Sequence, residues 1–123
     1  MVKRILAVDD SAIIRKVEQE VLGHAGYEVV VANDGREALA KLEGSTFNLI
    51  ITDLNMPNLD GVGLIKAVRS AAGSNHRFTP IVMLTTESKD TKKQEGKAAG
   101  ATGWVVKPFT AEQLLAVVKK VIG

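Results

Sequence analysis

The chain has 123 residues, contains no cysteine and carries 16 lysines and arginines against 14 acidic residues. This length suits one domain with a single hydrophobic core, and a net charge of +2 is too small to indicate nucleic-acid binding. The lack of cysteine excludes disulfides and thiolate sites, and no apolar stretch approaches the length of a membrane span, so we expect a cytoplasmic protein.

Strand-like and helix-like segments alternate along the chain. We expect strands at Arg4–Val8, Tyr27–Ala32, Phe47–Thr52, Pro80–Leu84 and Gly103–Val106, and helices at Ser11–Gly23, Asp34–Glu43, Val62–Ala71, Ser88–Ala99 and Thr110–Val121. Strands that are apolar throughout are typical of a parallel sheet covered by helices on both faces. The right-handed crossover rule then favours the strand order 2-1-3-4-5 of a doubly wound, flavodoxin-like α/β domain.

The starts of the helices carry capping signals. Asp34 is followed three residues later by Glu37, and Thr110 by Gln113, which is the spacing of a capping box. In the first helix we expect an apolar face made of Ile13, Val17 and Val21, which follow helical spacing. These signals support the alternation of strands and helices over residues 1–123, with no repeat, linker or second domain.

Charged and hydroxyl side chains stand just past the predicted strands. Asp9 and Asp10 follow the first strand, Asp53 the third, Thr85 the fourth and Lys107 the fifth. In a parallel sheet of this order, the carboxyl ends of strands one and three meet at the switch point, where ligands bind. Carboxylates crowded at one edge raise each other's pKa unless a cation is present, so this pattern predicts a metal site.

The chemistry that these residues could perform follows from their types. Mg²⁺ accepts few carboxylates and keeps several waters, which suits Asp9 and Asp10, and Asp53 can share the ion. A carboxylate can also act as a nucleophile toward phosphorus, with the metal offsetting charge on the phosphoryl oxygens. Lys107 would supply a second cation and Thr85 a hydroxyl donor.

Taken one at a time, these residues also fit structural roles. Adjacent acids after a strand often form a solvated turn or a helix start. Asp53 ahead of Asn55 and Pro57 fits a turn, Thr85 fits a helix cap, and Lys107 fits a solvated lysine. A functional site is favoured because all of them fall at strand ends in one consistent order.

A set of short motifs resembles the signature of response-regulator receiver domains, and the whole chain is similar to the single-domain chemotaxis (CheY-like) type. The motifs are Val8-Asp9-Asp10-Ser11, Thr52-Asp53-Leu54-Asn55-Met56-Pro57, Asp60-Gly61, Leu84-Thr85 and Val106-Lys107-Pro108-Phe109. The resemblance implies that Asp53 is the phosphoacceptor and that Asp9, Asp10, Asp53 and the Asn55 backbone carbonyl organise Mg²⁺. It also implies that Thr85 and Lys107 bind the phosphoryl group, and that the Lys107–Pro108 peptide bond is cis.

The same resemblance implies a signalling switch and not an enzyme with an external substrate. It implies a histidine kinase as phosphoryl donor, a phosphatase as a further candidate partner, and chemotaxis or motility control, with the flagellar motor switch as one candidate target. Trp104 stands where the family usually has Tyr or Phe as the aromatic coupled to Thr85. With Thr85 and Glu87 it is a candidate switch residue.

Other readings remain open. A haloacid-dehalogenase-like phosphatase needs a second Asp as general acid and base, but this chain has Asn55 at that position, and an amide cannot shuttle protons. In a flavodoxin the loop after the first strand cradles phosphate, and here Asp9 and Asp10 would repel it without metal. The chain could also be a receiver taken from a larger transcriptional regulator, or a phosphotransfer intermediate for one.

The fourth predicted helix suggests where a partner would bind. Ser88–Ala99 is rich in charge and contains Gly96, which costs about 1 kcal/mol relative to alanine in a helix, so we expect a weakly held element. Its basic residues, which suggest an acidic protein partner, are Lys89, Lys92, Lys93 and Lys97. We therefore predict an output face made of the fourth helix, fifth strand and fifth helix, without a role in DNA binding.

Overall fold

In the computed structural model, which describes residues 2–70, 76–86 and 90–122, five strands alternate with five helices. The side chains of residues 90–93 lie outside this description. The strands are β1 (Arg4–Val8), β2 (Glu28–Ala32), β3 (Leu49–Asp53), β4 (Ile81–Thr85) and β5 (Gly103–Val106). The helices are α1 (Ala12–His24), α2 (Gly35–Leu42), α3 (Gly61–Ser70), α4 (Asp90–Ala99) and α5 (Ala111–Ile122).

The strands form one parallel sheet in the order β2-β1-β3-β4-β5, which confirms the predicted doubly wound topology. β1 pairs with β2 on one side and with β3 on the other, so Val8 lies beside both Ala32 and Thr52. Further along, Asp53 pairs with Leu84, and the next residue of β4 pairs with a residue of β5. The carboxyl ends of the strands are therefore level, and the residues that follow them share one edge.

Side chains that alternate along each strand pack into two separate core layers. Leu6 and Ile50 pack with residues of α2 and α3 on one face, whereas Ile5 and Ile51 pack with α1 and α5 on the other. This alternation follows from the two-residue period of a strand. All of β3 and β4 is buried, which accounts for their continuous apolar sequences.

The predicted helix caps are present. The Asp34 side chain accepts a hydrogen bond from the Glu37 backbone N–H at 2.8 Å. At α5, the Thr110 hydroxyl accepts from the Gln113 N–H at 3.1 Å and the Gln113 side chain accepts from the Thr110 N–H at 2.9 Å, a complete capping box. Each cap satisfies backbone donors that the helix itself cannot pair.

The predicted apolar face of α1 is only partly the inward face, because Val21 packs against the core as predicted but Ile13 does not. Ile13 is 76% exposed, while Ile14 packs against the core and Glu18 and Leu22 are buried. The spacing of Ile13, Val17 and Val21 predicts a different face, because the inward face carries Glu18 where an apolar residue would be expected. In this helix, tertiary packing overrides the simplest reading of hydrophobic spacing.

His76, for which the sequence suggested no role, is buried below the sheet at the end opposite to the acidic residues. Its Nε2 atom accepts a hydrogen bond from the Phe47 backbone N–H at 3.1 Å. Close by, the Arg69 guanidinium donates to the backbone carbonyls of Gly100 at 2.9 Å and Thr79 at 2.6 Å. These contacts tie together the loops that enter β3, β4 and β5.

Gly96 has a packing role in α4, whereas the sequence suggested only that it weakens the helix. It is buried in α4, and a Cβ atom added there would lie 1.8 Å from Met83 Sδ. Met83 is itself fully buried in β4, so the end of its side chain would have to repack within the core to admit that atom. The absence of a side chain at Gly96 lets α4 lie close against the sheet.

No helix in the described part of the chain is long and apolar enough to cross a membrane.

We expect Gly96→Ala to lower the free energy of unfolding by about 1 to 2 kcal/mol, since overpacking outweighs the gain in helix propensity. Gly23→Ala in α1 is the matched control, because a Cβ there meets nothing within 4 Å, and it should raise the stability by up to about 1 kcal/mol. Urea unfolding measures both. Combining Gly96→Ala with Met83→Val should recover stability, and equal effects of the two alanines would contradict the packing role.

Candidate functional site

Three carboxylates meet at the carboxyl ends of β1 and β3. Asp9, Asp10 and Asp53 each offer an oxygen, and these oxygens all lie within 4.8 Å of one another. Asp9 is fully buried, Asp53 is nearly so, and Asp10 is exposed. They meet because β1 and β3 are adjacent although they are not consecutive in sequence, which is the switch point predicted above.

Lys107 brings a positive charge to the same place from the end of β5. Its Nζ atom lies 2.8 Å from Asp9 Oδ2 and 3.4 Å from Asp53 Oδ2. Burial alone would lower the pKa of Lys107, but the hydrogen bond and charge of Asp9, followed by those of Asp53, outweigh it and raise the pKa. Lys107 is therefore charged at neutral pH. The Lys107–Pro108 peptide bond is cis, as predicted.

Asp9 is held in place by contacts on both of its carboxylate oxygens. Oδ1 accepts the Ser11 backbone N–H at 2.9 Å, and Oδ2 accepts Lys107 Nζ at 2.8 Å. The Arg15 guanidinium also donates to the Asp9 backbone carbonyl at 2.7 Å. These contacts stabilise a buried negative charge, which would otherwise be costly.

The environment of Asp53 adjusts its charge in both directions. Burial raises the pKa of Asp53, and the charge of Asp9 adds to this effect. Lys107, by its charge and its hydrogen bond, and the Asn55 backbone N–H oppose it, and the net pKa remains raised. A carboxylate with a raised pKa is a better nucleophile than an ordinary one, provided that it is ionised.

The loop that follows Asp53 turns back tightly on the strand. A Cβ atom added at Gly61 would lie 2.3 Å from the Asp53 carbonyl oxygen, so only glycine fits this approach. The Asp60 side chain accepts the Gly63 N–H at 2.7 Å and so caps α3. Earlier in the loop, Asn58 adopts a φ of 69°, in the left-handed region. Asn55 is exposed at the outer side of this loop.

Thr85 and Trp104 lie on the neighbouring strands. Thr85 is buried at the end of β4, where it pairs with Val106, and its carbonyl accepts the Lys107 N–H at 2.8 Å. Trp104 is 39% exposed on β5 and pairs with Met83. It lines an open groove with Val106, Pro108, Gln113 and Val117. The third predicted switch residue, Glu87, lies outside the described residues.

Comparison with known proteins agrees with this geometry. The family model described as the response regulator receiver domain matches residues 5–119. The chain belongs to this family. It is 37% identical to the chemotaxis protein CheY of Pseudomonas aeruginosa over 119 residues, which are 96% of this chain and 94% of that protein.

Two solved structures illustrate how closely this receiver resembles others. The chemotaxis protein CheY4 of Vibrio cholerae is 54% identical, with a TM-score of 0.93, and the match covers 98% of this chain and 99% of that one. The receiver domain of a sensor histidine kinase from Pseudomonas aeruginosa, with a magnesium ion coordinated in its active-site cleft, is 28% identical with a TM-score of 0.90. That match covers 100% of this chain and 99% of the other.

The acidic cluster of this receiver suits a divalent cation. Three carboxylates converge, and Lys107 Nζ lies within 4 Å of two of them. Hard oxygen donors of this kind are the ligands that Mg²⁺ prefers, and receiver domains typically bind Mg²⁺. The role of the Asn55 carbonyl as a further ligand stays a prediction.

Glu18 is the residue of this region that sequence reasoning missed. It is fully buried in α1, and burial, followed by the charge of Asp9, raises the pKa of its carboxyl group to about 9. A signal was present, because Glu18 stands four residues from both Ile14 and Leu22, on the inward face of the helix. An acidic residue at a core position is uncommon enough to indicate a function or an unusual partner.

In the metal-free protein, removing the positive charge of Lys107 should affect stability differently from removing the negative charge of Asp10. Lys107→Met should lower the free energy of unfolding by about 3 kcal/mol, because it leaves the buried Asp9 unpaired. Asp10→Asn should leave the stability unchanged or raise it by up to about 1 kcal/mol, because Asp10 is exposed and adds repulsion. Urea unfolding with a chelator present measures both. A strongly destabilised Asp10→Asn variant would mean that Asp10 has a structural role.

Proposed function

We propose that this receiver accepts a phosphoryl group from a histidine kinase on Asp53, and that the modified protein then binds a different partner. One observation carries the proposal: Asp53 lies at the switch point with two carboxylates and an ammonium group within reach of its side chain. Its side chain is not completely enclosed, so a donor can approach it. Neither Asp9, which is fully buried, nor the exposed Asp10 combines access with contact to Lys107 in this way.

The proposed reaction is a phosphoryl transfer between two side chains. A carboxylate oxygen of Asp53 attacks phosphorus as the bond between phosphorus and the donor imidazole nitrogen breaks, and the imidazole leaves with that electron pair. The product is an acyl phosphate on Asp53. Hydrolysis by water returns the carboxylate and releases inorganic phosphate, so phosphorylation and dephosphorylation are both catalysed by the receiver itself.

The side chains around Asp53 have separate roles in this proposal. Lys107, already 3.4 Å from Asp53, would pair with a phosphoryl oxygen, and Thr85 at the end of β4 would donate a hydroxyl hydrogen bond. Bound by Asp9, Asp10, Asp53 and the Asn55 carbonyl, Mg²⁺ would offset the charge on the phosphoryl oxygens. The magnesium ion in the related sensor-kinase receiver supports this assignment.

We infer that the output is a protein contact in chemotaxis-type control, with the flagellar motor switch as a candidate target. The inference is supported by matches to two proteins described as chemotaxis proteins, each of which covers nearly the whole chain. The groove beside β5 offers a surface for this contact, with Trp104 and Val106 more than a third exposed. The charge of Lys97 on α4 favours an acidic partner.

The assignment of Asp53 can be tested with a small acyl phosphate as donor. Asp53→Asn should abolish the uptake of phosphoryl groups in the presence of Mg²⁺, because a neutral amide is not a nucleophile toward phosphorus. Phosphoprotein formation is followed by mass spectrometry. The matched control is Asp60→Asn, which removes one carboxylate from the same loop but can still cap α3, and it should be phosphorylated normally. Wild-type uptake by Asp53→Asn would place the phosphoacceptor elsewhere.

Trp104 provides a test of the switch. If phosphorylation draws the ends of β4 and β5 inward through Thr85 and Lys107, the surroundings of Trp104 change and its fluorescence should shift. Beryllofluoride with Mg²⁺ serves as a stable mimic of the phosphoryl group, and Asp53→Asn, which should show no change, is the control. Trp104 is the only tryptophan, so the signal is unambiguous. Constant fluorescence in the wild type would identify Trp104 as a static part of the surface.

A further inference from the structure

We propose that Glu18 is a fourth carboxyl group of the cation site, which lies behind Asp9 and holds a water molecule bound to the divalent cation. It would act as a positioning residue for the hydrated ion, without being a direct ligand. The inference rests on the proposed Mg²⁺-dependent function, and it assigns a role to a residue of α1 that the phosphoryl transfer itself does not use.

The first observation is that Glu18 is buried without a partner. Its side chain is completely enclosed, and among the described residues its two carboxyl oxygens are the buried side-chain atoms that make no hydrogen bond. Buried polar atoms in native proteins are nearly always paired, and an orphan usually indicates water or an ion. Leaving such atoms unpaired is unfavourable for stability, so a compensating role is expected.

The second observation is the position of Glu18 beside the acidic cluster. Arg15, which is three residues earlier on the same side of α1, reaches the Asp9 backbone carbonyl at 2.7 Å. The charges that act most strongly on Glu18 are, in order, those of Asp9, Lys107, Asp53 and Arg15. The buried carboxyl group of Glu18 therefore lies close enough to Asp9 and Asp53 to be affected by their charge, from the core side of the site.

The third step concerns which acceptors remain for water in this pocket. Mg²⁺ keeps several of its waters when it binds a protein, and each such water needs acceptors for its two hydrogens. Both oxygens of Asp9 already accept hydrogen bonds, from Ser11 and from Lys107. The free oxygens of Glu18 are suited to accept from a bound water. Mutation of groups that hydrogen-bond to the ligands of a metal, and not to the metal itself, typically lowers metal affinity by 10-fold to 100-fold.

Magnesium titration calorimetry on three matched variants tests the proposal. Glu18→Gln keeps the shape and an acceptor oxygen, Glu18→Met replaces the polar group with an apolar one, and Glu20→Gln changes a glutamate at an exposed position of the same helix. We expect Glu18→Met, which removes the acceptor oxygens, to bind Mg²⁺ about 10-fold more weakly than the wild type. Glu18→Gln, whose amide carbonyl can still accept from a bound water, should bind it nearly as the wild type does. Glu20→Gln should bind it as the wild type does. In the absence of metal, Glu18→Met should also unfold at a higher urea concentration than the wild type, because it removes two orphaned buried oxygens.

Asp10→Asn separates failure of this inference from failure of the proposed function. If the wild type and Asp10→Asn bind Mg²⁺ equally poorly, the metal site itself is wrong. If Asp10→Asn loses binding while Glu18→Met binds as tightly as the wild type, only the role of Glu18 is overturned. In that case Glu18 would be a core residue that destabilises the protein and does not contribute to metal binding. Weaker binding by Glu18→Met, with Glu18→Gln and Glu20→Gln close to the wild type, supports the proposal.

Discussion

Repulsion between carboxylates at one edge of the sheet is the constraint on which the rest of this receiver depends. Asp9, Asp10 and Asp53 offer oxygens within 4.8 Å of one another, and such an arrangement is unfavourable without positive charge. Lys107 supplies part of that charge through a 2.8 Å contact with Asp9. The remaining imbalance suits the cluster to a divalent cation, and in the proposed function the same charges respond to a phosphoryl group on Asp53.

The fold meets this constraint by keeping the ends of its strands level and by covering the sheet on both faces. The strands β1, β3, β4 and β5 are in register, so their last residues bring the acids, Thr85 and Lys107 to one edge. Glycines remove side chains where the backbone must approach closely, at Gly61 beside Asp53 and at Gly96 beside Met83. The rigid sheet can thus hold charges that would otherwise separate, while loops and α4 lie next to them.

Glu18 places two unpaired polar atoms in the core beside such a site, which lowers the stability of the protein. A methionine would fill the same core position without unpaired oxygens, and most proteins use apolar residues there. Sites that bind or react commonly contain groups that are unfavourable in the empty protein. In our proposal, a water bound to the cation gives the Glu18 carboxyl group the hydrogen-bond partner that it lacks in the metal-free protein.

The sequence alone was sufficient to predict the strand order, the capped helices and the residues of the acidic cluster, because apolar runs, capping pairs and chemistry-bearing side chains are local features. The boundaries of β3 differ from the prediction, since pairing with β4 extends the ladder to Asp53. Contacts between distant segments were decided by the tertiary structure. Examples are the pairing of Lys107 with Asp9 across 98 positions, the bond from Phe47 to His76 and the inward face of α1. Local periodicity could not locate that face, because a buried glutamate interrupts the apolar pattern and only packing against the sheet places it inside.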